Sequence, residues 1–326
     1  MNVDKNKVVE DKDTQWLSEC WNKKNQSDIQ FGFLQIPFDH AVSHRPGTRI
    51  GPSSILEVLK SYSLYCADKR VSLESCNFMD LGSVDIVHSF SETYSNIENS
   101  VLQVNKETLP IFLGGDHSIT DPIFRGFIKR SRKKLNKIGL ILFDSHFDYR
   151  EPRKGKEHSG HWLKTLEDVI DYANLAIIGV NAPIYSEKYL NELESKGSLI
   201  FTSYDVRRLG REQVIQQVLK HLKKCEEIYI SVDIDAIDQA FAPGTSVPNS
   251  NGLYPFEVFD SLFEIARTAP VGGLDVVEVS PWFDQNANFT PQVAAQIIFN
   301  FMAGIAQKQK DGKININNST FAHIKR

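Results

Sequence analysis

Asp144, His146 and Asp148 stand at every second position of FDSHFDYR (143–150), directly behind the apolar run IGLIL. Side chains two apart on an extended chain share a face, so these three are expected to converge, with Ser145 and Phe147 turned away. Two carboxylates and an imidazole at a buried strand end cost several kcal/mol of desolvation unless a cation neutralises them. A metal ion does that; acids solvated in a loop are the plainer reading. Asp233 and Asp235 repeat the spacing at the end of EIYISVDID, ahead of the turn APGT. By itself that pair fits a magnesium-dependent phosphatase equally well. His117 leaves the run LPIFL in LGGDHSI (113–119), where paired glycines allow a sharp turn. The plain reading of that stretch makes Asp116 and Ser118 helix caps and His117 a hydrogen-bonded loop residue.

Together the three clusters say more than each alone. Asp144, Asp148, Asp233 and Asp235 bring four negative charges, and His117 and His146 bring neutral nitrogen donors. Two divalent cations balance that set. Oxygen and nitrogen donors without thiolate favour manganese or a similar hard ion over structural zinc. Histidine is a poor magnesium ligand, which counts against the phosphatase. Paired metals roughly 3.5–4 Å apart can lower the pKa of a shared water from ~15.7 towards ~7, which points to a hydrolase.

These side chains need a frame that presents them together. Short β-branched runs alternate with amphipathic segments: DIQFGFLQI then SSILEVLKSYS, LPIFLGG then a segment from Ser118, KIGLILFDS then WLKTLEDVI. ANLAIIGV, GSLIFTS, EIYISVDID and GGLDVVEVS follow, and the helical PQVAAQIIFNFMAGIA comes last. Such alternation predicts an α/β fold with a parallel sheet covered on both faces. Ligands of such sheets collect beyond the carboxyl ends of the strands, where all three clusters lie.

The chain of 326 residues carries no linker or repeat, which predicts one domain over 1–326 with a core at about 28–306, a polar N-terminal arm and a polar C-terminal tail. Its 41% hydrophobic and 24% charged residues suffice for a large core. A net charge of -4, with no basic–aromatic groove, speaks against nucleic acid and membrane surfaces. Apolar runs fall short of a bilayer span, and the charged start MNVDKNKVVEDKD has no signal-peptide core. Four cysteines without CxxC spacing form neither a zinc motif nor a disulfide framework, so a cytoplasmic protein is expected.

GGDHSI, DSHFD and SVDIDAID...APGT, in this order and spacing, resemble the metal-binding signatures of the ureohydrolase superfamily of arginase, agmatinase and formiminoglutamase. The likeness runs from HRPGTRIGPSSI to VVEVSP. It implies a three-layer α/β/α fold with a central parallel sheet of about eight strands and two Mn2+ per subunit. His117, Asp144, Asp148 and Asp233 would hold one ion, and Asp144, His146, Asp233 and Asp235 the other. Asp148 would also help to move protons. Glu278 would grip the NH2 groups of the substrate's cationic head; the plainer reading is an edge ion pair. A homo-oligomer, a hexamer or smaller ring, is implied as well.

The loop after the second motif bears on the substrate. GKEHSGHWLK places Ser159-Gly160 where arginase and agmatinase commonly carry His-Gly, the histidine acting as a proton shuttle. A small polar residue there, together with Asp148-Tyr149-Arg150, resembles the formiminoglutamase branch. Gly160-His161-Trp162-Leu163 departs from that branch's usual Gly-Thr-x-Phe, and His161 or His158 is a candidate replacement for the shuttle; surface loop residues are the plainer reading of both. REPRKGKE (150–157) carries four basic and two acidic residues, which would repel a cationic tail and attract carboxylates, with Arg150 as an anchor; solvated loop charge is the plainer reading of Arg153, Lys154 and Lys156. The expectation is a hydrolase of linear amidines, foremost N-formimidoyl-L-glutamate in histidine breakdown. Alternatives are an agmatinase or other guanidino-acid hydrolase, and a non-catalytic family member that binds metal.

Overall fold

A computed structural model describes residues 13–23, 29–152, 155, 157–284 and 288–322, the last ten by backbone alone. Eight parallel strands form one sheet: β1 (Ile29–Ile36), β2 (Cys76–Ser83), β3 (Thr108–Gly114), β4 (Ile138–Phe143), β5 (Leu175–Val180), β6 (Leu199–Thr202), β7 (Glu227–Asp233) and β8 (Val271–Val277). Their spatial order is β2-β1-β3-β8-β7-β4-β5-β6. All paired registers are parallel, so every strand exit lies along one rim.

Alternation along the strands assigns side chains to two separate cores. Ile141 and Phe143 of β4 join Ile230, Val232, Leu274 and Val276 on one face, under the helices Gly51–Lys60, Pro255–Thr268 and Phe289–Ala322. Leu140 and Leu142 join Leu175, Ile177 and Tyr229 on the other, under Phe90–Gln103 and Thr120–Ser131. This is the three-layer α/β/α arrangement that the resemblance implies. Phe90–Gln103 shows how the local sequence directs such a helix. Ser89 caps it by accepting from the Glu92 amide, and Thr93, Ile97 and Val101, four apart, form its buried face. Each aliphatic side chain buried in this way contributes ~1.5–3 kcal/mol.

Three elements differ from the pattern read in the sequence. β2 is an edge strand with only two buried residues, so CNFMDLGS lacks the apolar run that marks the interior strands. WLKTLEDVI is helical only over Trp162–Thr165. The last helix does not stop near 306 but continues to Ala322 through the segment expected to be a polar tail. Phe289–Gly312 of that helix is long and apolar enough to cross a bilayer, although 72% of its apolar window is buried inside the fold. It belongs to the core. The N-terminal arm before residue 13 lies outside the described residues.

Candidate metal centre and cleft

The strands β3, β8, β7 and β4 are neighbours in the middle of the sheet, and each delivers acid or imidazole at its exit. His117 follows β3, Asp144 to Asp148 follow β4, Asp233 ends β7 with Asp235 in the next turn, and Glu278 follows β8. Gly115 allows this convergence. A Cβ there would sit 1.7 Å from the Phe38 carbonyl oxygen, where the chain leaving β1 crosses β3. The Asp116 amide donates to Phe38 O (2.8 Å), and the Glu278 amide to Gly115 O (2.8 Å), tying three strand exits together.

His117 Nδ1 lies 3.2 Å from Asp144 Oδ2, 3.1 Å from Asp148 Oδ2 and 3.1 Å from Asp233 Oδ2. His146 Nδ1 lies 3.0 Å from Asp235 Oδ2 and 3.4 Å from Asp144 Oδ1. Two groups of donors have metal-holding spacing, His117–Asp144–Asp148 and Asp144–His146–Asp235, and Asp144 belongs to both. The hydrogen bonds around His117 test whether a cation fits. Ser231 Oγ donates to Asp275 Oδ1 (2.5 Å), so it accepts from His117 Nε2–H (3.0 Å). Proton placement follows from that network. His117 Nδ1 then turns a lone pair towards three carboxylate oxygens, and it and Asp144 Oδ2 are buried without a hydrogen-bond partner. Electron pairs facing electron pairs at atoms buried from water call for a cation, and the donor set suits one.

The titration behaviour of the bare cluster says the same. Burial and mutual repulsion push Asp144 and Asp233 up. For His146, burial works against the charged ring but is outweighed by Asp235 and Asp144, and the imidazole is pushed up to about 12. His117 rises too, Asp144, Asp148 and Asp233 outweighing its burial. Burial would also raise Asp235, but His146 and Ser145 reverse this and hold it low. Without metal, protons take up the places where positive charge is needed.

The local geometry differs from an extended strand end. β4 stops at Phe143, and the donors converge through a folded loop in which the His146 amide donates to Asp144 Oδ1 (2.6 Å). Ser145 is drawn inward rather than turned away, its hydroxyl donating to Asp235 Oδ1 (2.7 Å). Asp148 and Glu278 adopt left-handed backbone conformations, φ 46° and 63°. Such conformations cost non-glycine residues ~1–3 kcal/mol each and are held only where surroundings over-determine them.

A cleft of roughly 480 Å³, counting its open mouth, has His146, Asp148, Asp233, Asp235 and Glu278 in its lining. Glu278 Oε1 accepts from the His117 amide (2.8 Å) and Oε2 from the Ser246 hydroxyl. Burial, with Asp116 nearby, pushes it up to about 8. No cation pairs with it among the described residues, unlike the edge ion pair considered from sequence. Ser43, Arg150, Ser159, Tyr185, Tyr189 and Val247 contribute to the walls. Arg150 is half-buried, and among the described residues its guanidinium has no hydrogen-bond or ion-pair partner. Arg153, Lys154 and Lys156 lie outside the described residues. Ser159 Oγ is 2.9 Å from Ser43 Oγ.

His161 is not part of the cleft wall. It is 5% exposed, with Nε2 3.5 Å from a Glu157 carboxylate oxygen. His158 Nδ1 accepts from the Gly160 amide (2.9 Å), so that ring serves as a local cap. Burial, followed by His161 and Arg150, lowers its pKa.

Sequence reasoning passed over the residues behind the donors. Asp275 is fully buried and accepts from Tyr229 (2.8 Å), Ser231 and Thr120 (3.1 Å). A lone acid inside the apolar strand GGLDVV is a readable signal, because burial demands such partners. Ser231, two residues before Asp233, points to the same face by strand alternation.

A sequence model described as the arginase family matches residues 29–304. A formimidoylglutamase from Halalkalibacterium halodurans is 29% identical over 282 residues, covering 84% of this chain and 86% of that one. An agmatinase from Bacillus subtilis is 31% identical over 282 residues, covering 82% and 90%. Among solved structures, a formimidoylglutamase from Bacillus subtilis superposes with a TM-score of 0.85 at 25% identity, covering 93% of this chain and 96% of that one. A manganese-containing formiminoglutamase from Trypanosoma cruzi has a TM-score of 0.82 at 21% identity, covering 90% and 99%, and is alike in fold. Since the match runs from the first strand into the final helix and takes in every strand exit described above, the chain belongs to the arginase family.

Proposed function

We propose that this protein hydrolyses a C–N bond of a linear amidine or guanidine whose far end carries carboxylate, with N-formimidoyl-L-glutamate as the first candidate. That reaction consumes one water and yields L-glutamate and formamide. One observation carries the choice of substrate: among the described residues Arg150 is the one arginine or lysine in the cleft wall, and its guanidinium has no partner there. A carboxylate tail would meet its planar fork, whereas the ammonium of agmatine would meet a like charge. The relatives, a formimidoylglutamase and an agmatinase, span this choice.

His117, Asp144, Asp148 and Asp233 would hold one divalent ion, and Asp144, His146, Asp233 and Asp235 a second. When bound, such a pair supplies Lewis acidity and a water of lowered pKa. The chain's own groups do the rest. Glu278, once deprotonated, faces the amidinium head with a carboxylate held by the His117 amide and Ser246. Asp148 has an oxygen beside the donors and can hold a proton in transit to the leaving amine. Arg150 fixes the tail, so the reacting carbon is presented in one orientation.

A mono-carboxylate guanidino acid is the second reading, favoured because the described wall offers one cation where formimidoylglutamate has two carboxylates. Purified manganese-loaded protein should be assayed against formimidoylglutamate, guanidinobutyrate, agmatine and arginine. The proposal expects the highest kcat/KM for an anionic-tailed substrate; preferential turnover of agmatine would reject it, and turnover of none would leave a metal-binding protein without this activity.

A further inference from the structure

Trp162 occupies the segment where the loop sequence departs from the formiminoglutamase pattern, and the chemistry above does not use it. Its indole is 1% exposed and makes two contacts with the donor cluster. Nε1–H donates to Asp148 Oδ2 at 2.9 Å, the same oxygen that lies 3.1 Å from His117 Nδ1. The ring also packs on the His117 imidazole, with centroids 4.8 Å apart and planes 42° apart. The next residue holds the backbone of that aspartate, the Leu163 amide donating to Asp148 O (3.1 Å).

Asp148 needs such support. Its φ of 46° is unfavourable for a non-glycine residue, and an unsupported carboxylate there would be free to rotate away from His117. The turn carrying Trp162 is itself anchored: Tyr172 donates to Leu163 O (3.0 Å), Arg125 to Thr165 O (2.6 Å), and Thr165 to Asp121. A tryptophan that merely fills space needs its N–H satisfied by any acceptor. This one spends it on a donor oxygen, and partners behind a ligand typically govern 10–100-fold in metal affinity.

We propose that Trp162 is a positioning residue that orients Asp148 and His117 for one of the two metal ions, leaving the second ion untouched. The inference rests on the metal-dependent reading above. The asymmetry follows from the donor groups: Asp148 belongs with His117 and Asp144, whereas Asp144, His146 and Asp235 form the other group without it. Trp162→Phe keeps the ring and removes the donor.

The test is manganese binding by the full chain after chelation, measured by calorimetry without substrate. Wild type should take up two ions, and W162F should hold one as before and bind the other 10–100-fold more weakly. Unchanged affinities for both would overturn the inference while leaving the functional reading intact. Equal weakening of both would reduce Trp162 to general packing and overturn it too. Wild type that binds no manganese would remove the functional reading and the inference together. If W162F does not fold, wild-type protein labelled with 15N-tryptophan decides. Among four indole signals, that of Trp162, assigned by relaxation enhancement on sub-stoichiometric manganese, should shift on adding diamagnetic zinc. An indole signal set that zinc leaves unmoved would count against the proposal.

Discussion

Replacing Arg150 with alanine separates recognition of the tail from catalysis. At ~4 Å and an effective dielectric of ~20, two opposite charges attract by about 4 kcal/mol before desolvation. Arg150 is half-buried at the cleft wall, so both partners lose part of their hydration and the net contribution falls to ~1.5–3 kcal/mol, as for a hydrogen bond to a charged group. This converts to a ~10–150-fold loss in kcat/KM for formimidoylglutamate or guanidinobutyrate. The loss should fall on KM, because the tail pairs equally well in the ground and transition states. Stability should change by less than ~0.5 kcal/mol, since among the described residues the side chain has no partner to strand and the Arg150 amide keeps its bond to Gly160 O. Steady-state kinetics on an anionic-tailed, a neutral-tailed and a cationic-tailed amidine provide the assay. The neutral substrate should lose less than ~3-fold, and agmatine should gain, because a like charge has gone. Equal losses on all three substrates would show that Arg150 shapes the loop rather than reads the tail.

Gly115→Ala should destabilise the fold by about 3–5 kcal/mol, because the new Cβ meets backbone, the Phe38 carbonyl oxygen, rather than a movable side chain; a urea midpoint near wild type would show that the crossing has slack. In metal-free protein, Asp116 is pushed up to about 7, chiefly by burial, against ~3.9 in an unfolded chain. Between those values the folded state carries one more proton than the unfolded state, so this group's stabilisation is full below pH ~4 and is lost as pH rises through 7, at up to ~1.4 kcal/mol per unit. Urea titrations of chelated protein across that window should show the decline, and Asp116→Asn should flatten it by one proton's worth. Manganese should stabilise increasingly as pH rises, because its ligands must shed protons to bind; a metal-induced shift in Tm that shrinks with pH would contradict the ligand assignment.

Much of the centre could be read from the chain because its donors travel in short runs at strand ends, where a few residues fix both type and place. Asp144, His146, Asp233 and Asp235 needed only the rule that strand exits gather ligands. What lay beyond reach was the shape of the loops. Strand alternation sent Ser145 outward, yet the chain leaves β-geometry at Phe143, and the Ser145 hydroxyl turns to Asp235. Likewise, no spacing rule reveals that Asp148 sits at positive φ or that Trp162, fourteen residues on, reaches back to it. β2 is not legible in the sequence because an edge strand with few buried residues does not show the apolar run of its interior neighbours. That Arg150 has no partner among the described residues is a property of everything around it, so only the assembled fold can state it.

β8 is the last strand to be synthesised, yet it lies between β3 and β7 near the centre of the sheet. Without it the sheet divides into two fragments, β2-β1-β3 and β7-β4-β5-β6, each with a raw inner edge. His117 belongs to one fragment, and Asp144, His146, Asp148, Asp233 and Asp235 to the other, so neither fragment alone brings all six donors together. Closure of the sheet therefore requires Val271–Val277 and the glutamate behind them, and the acids' mutual repulsion meets a finished wall only with that central strand in place.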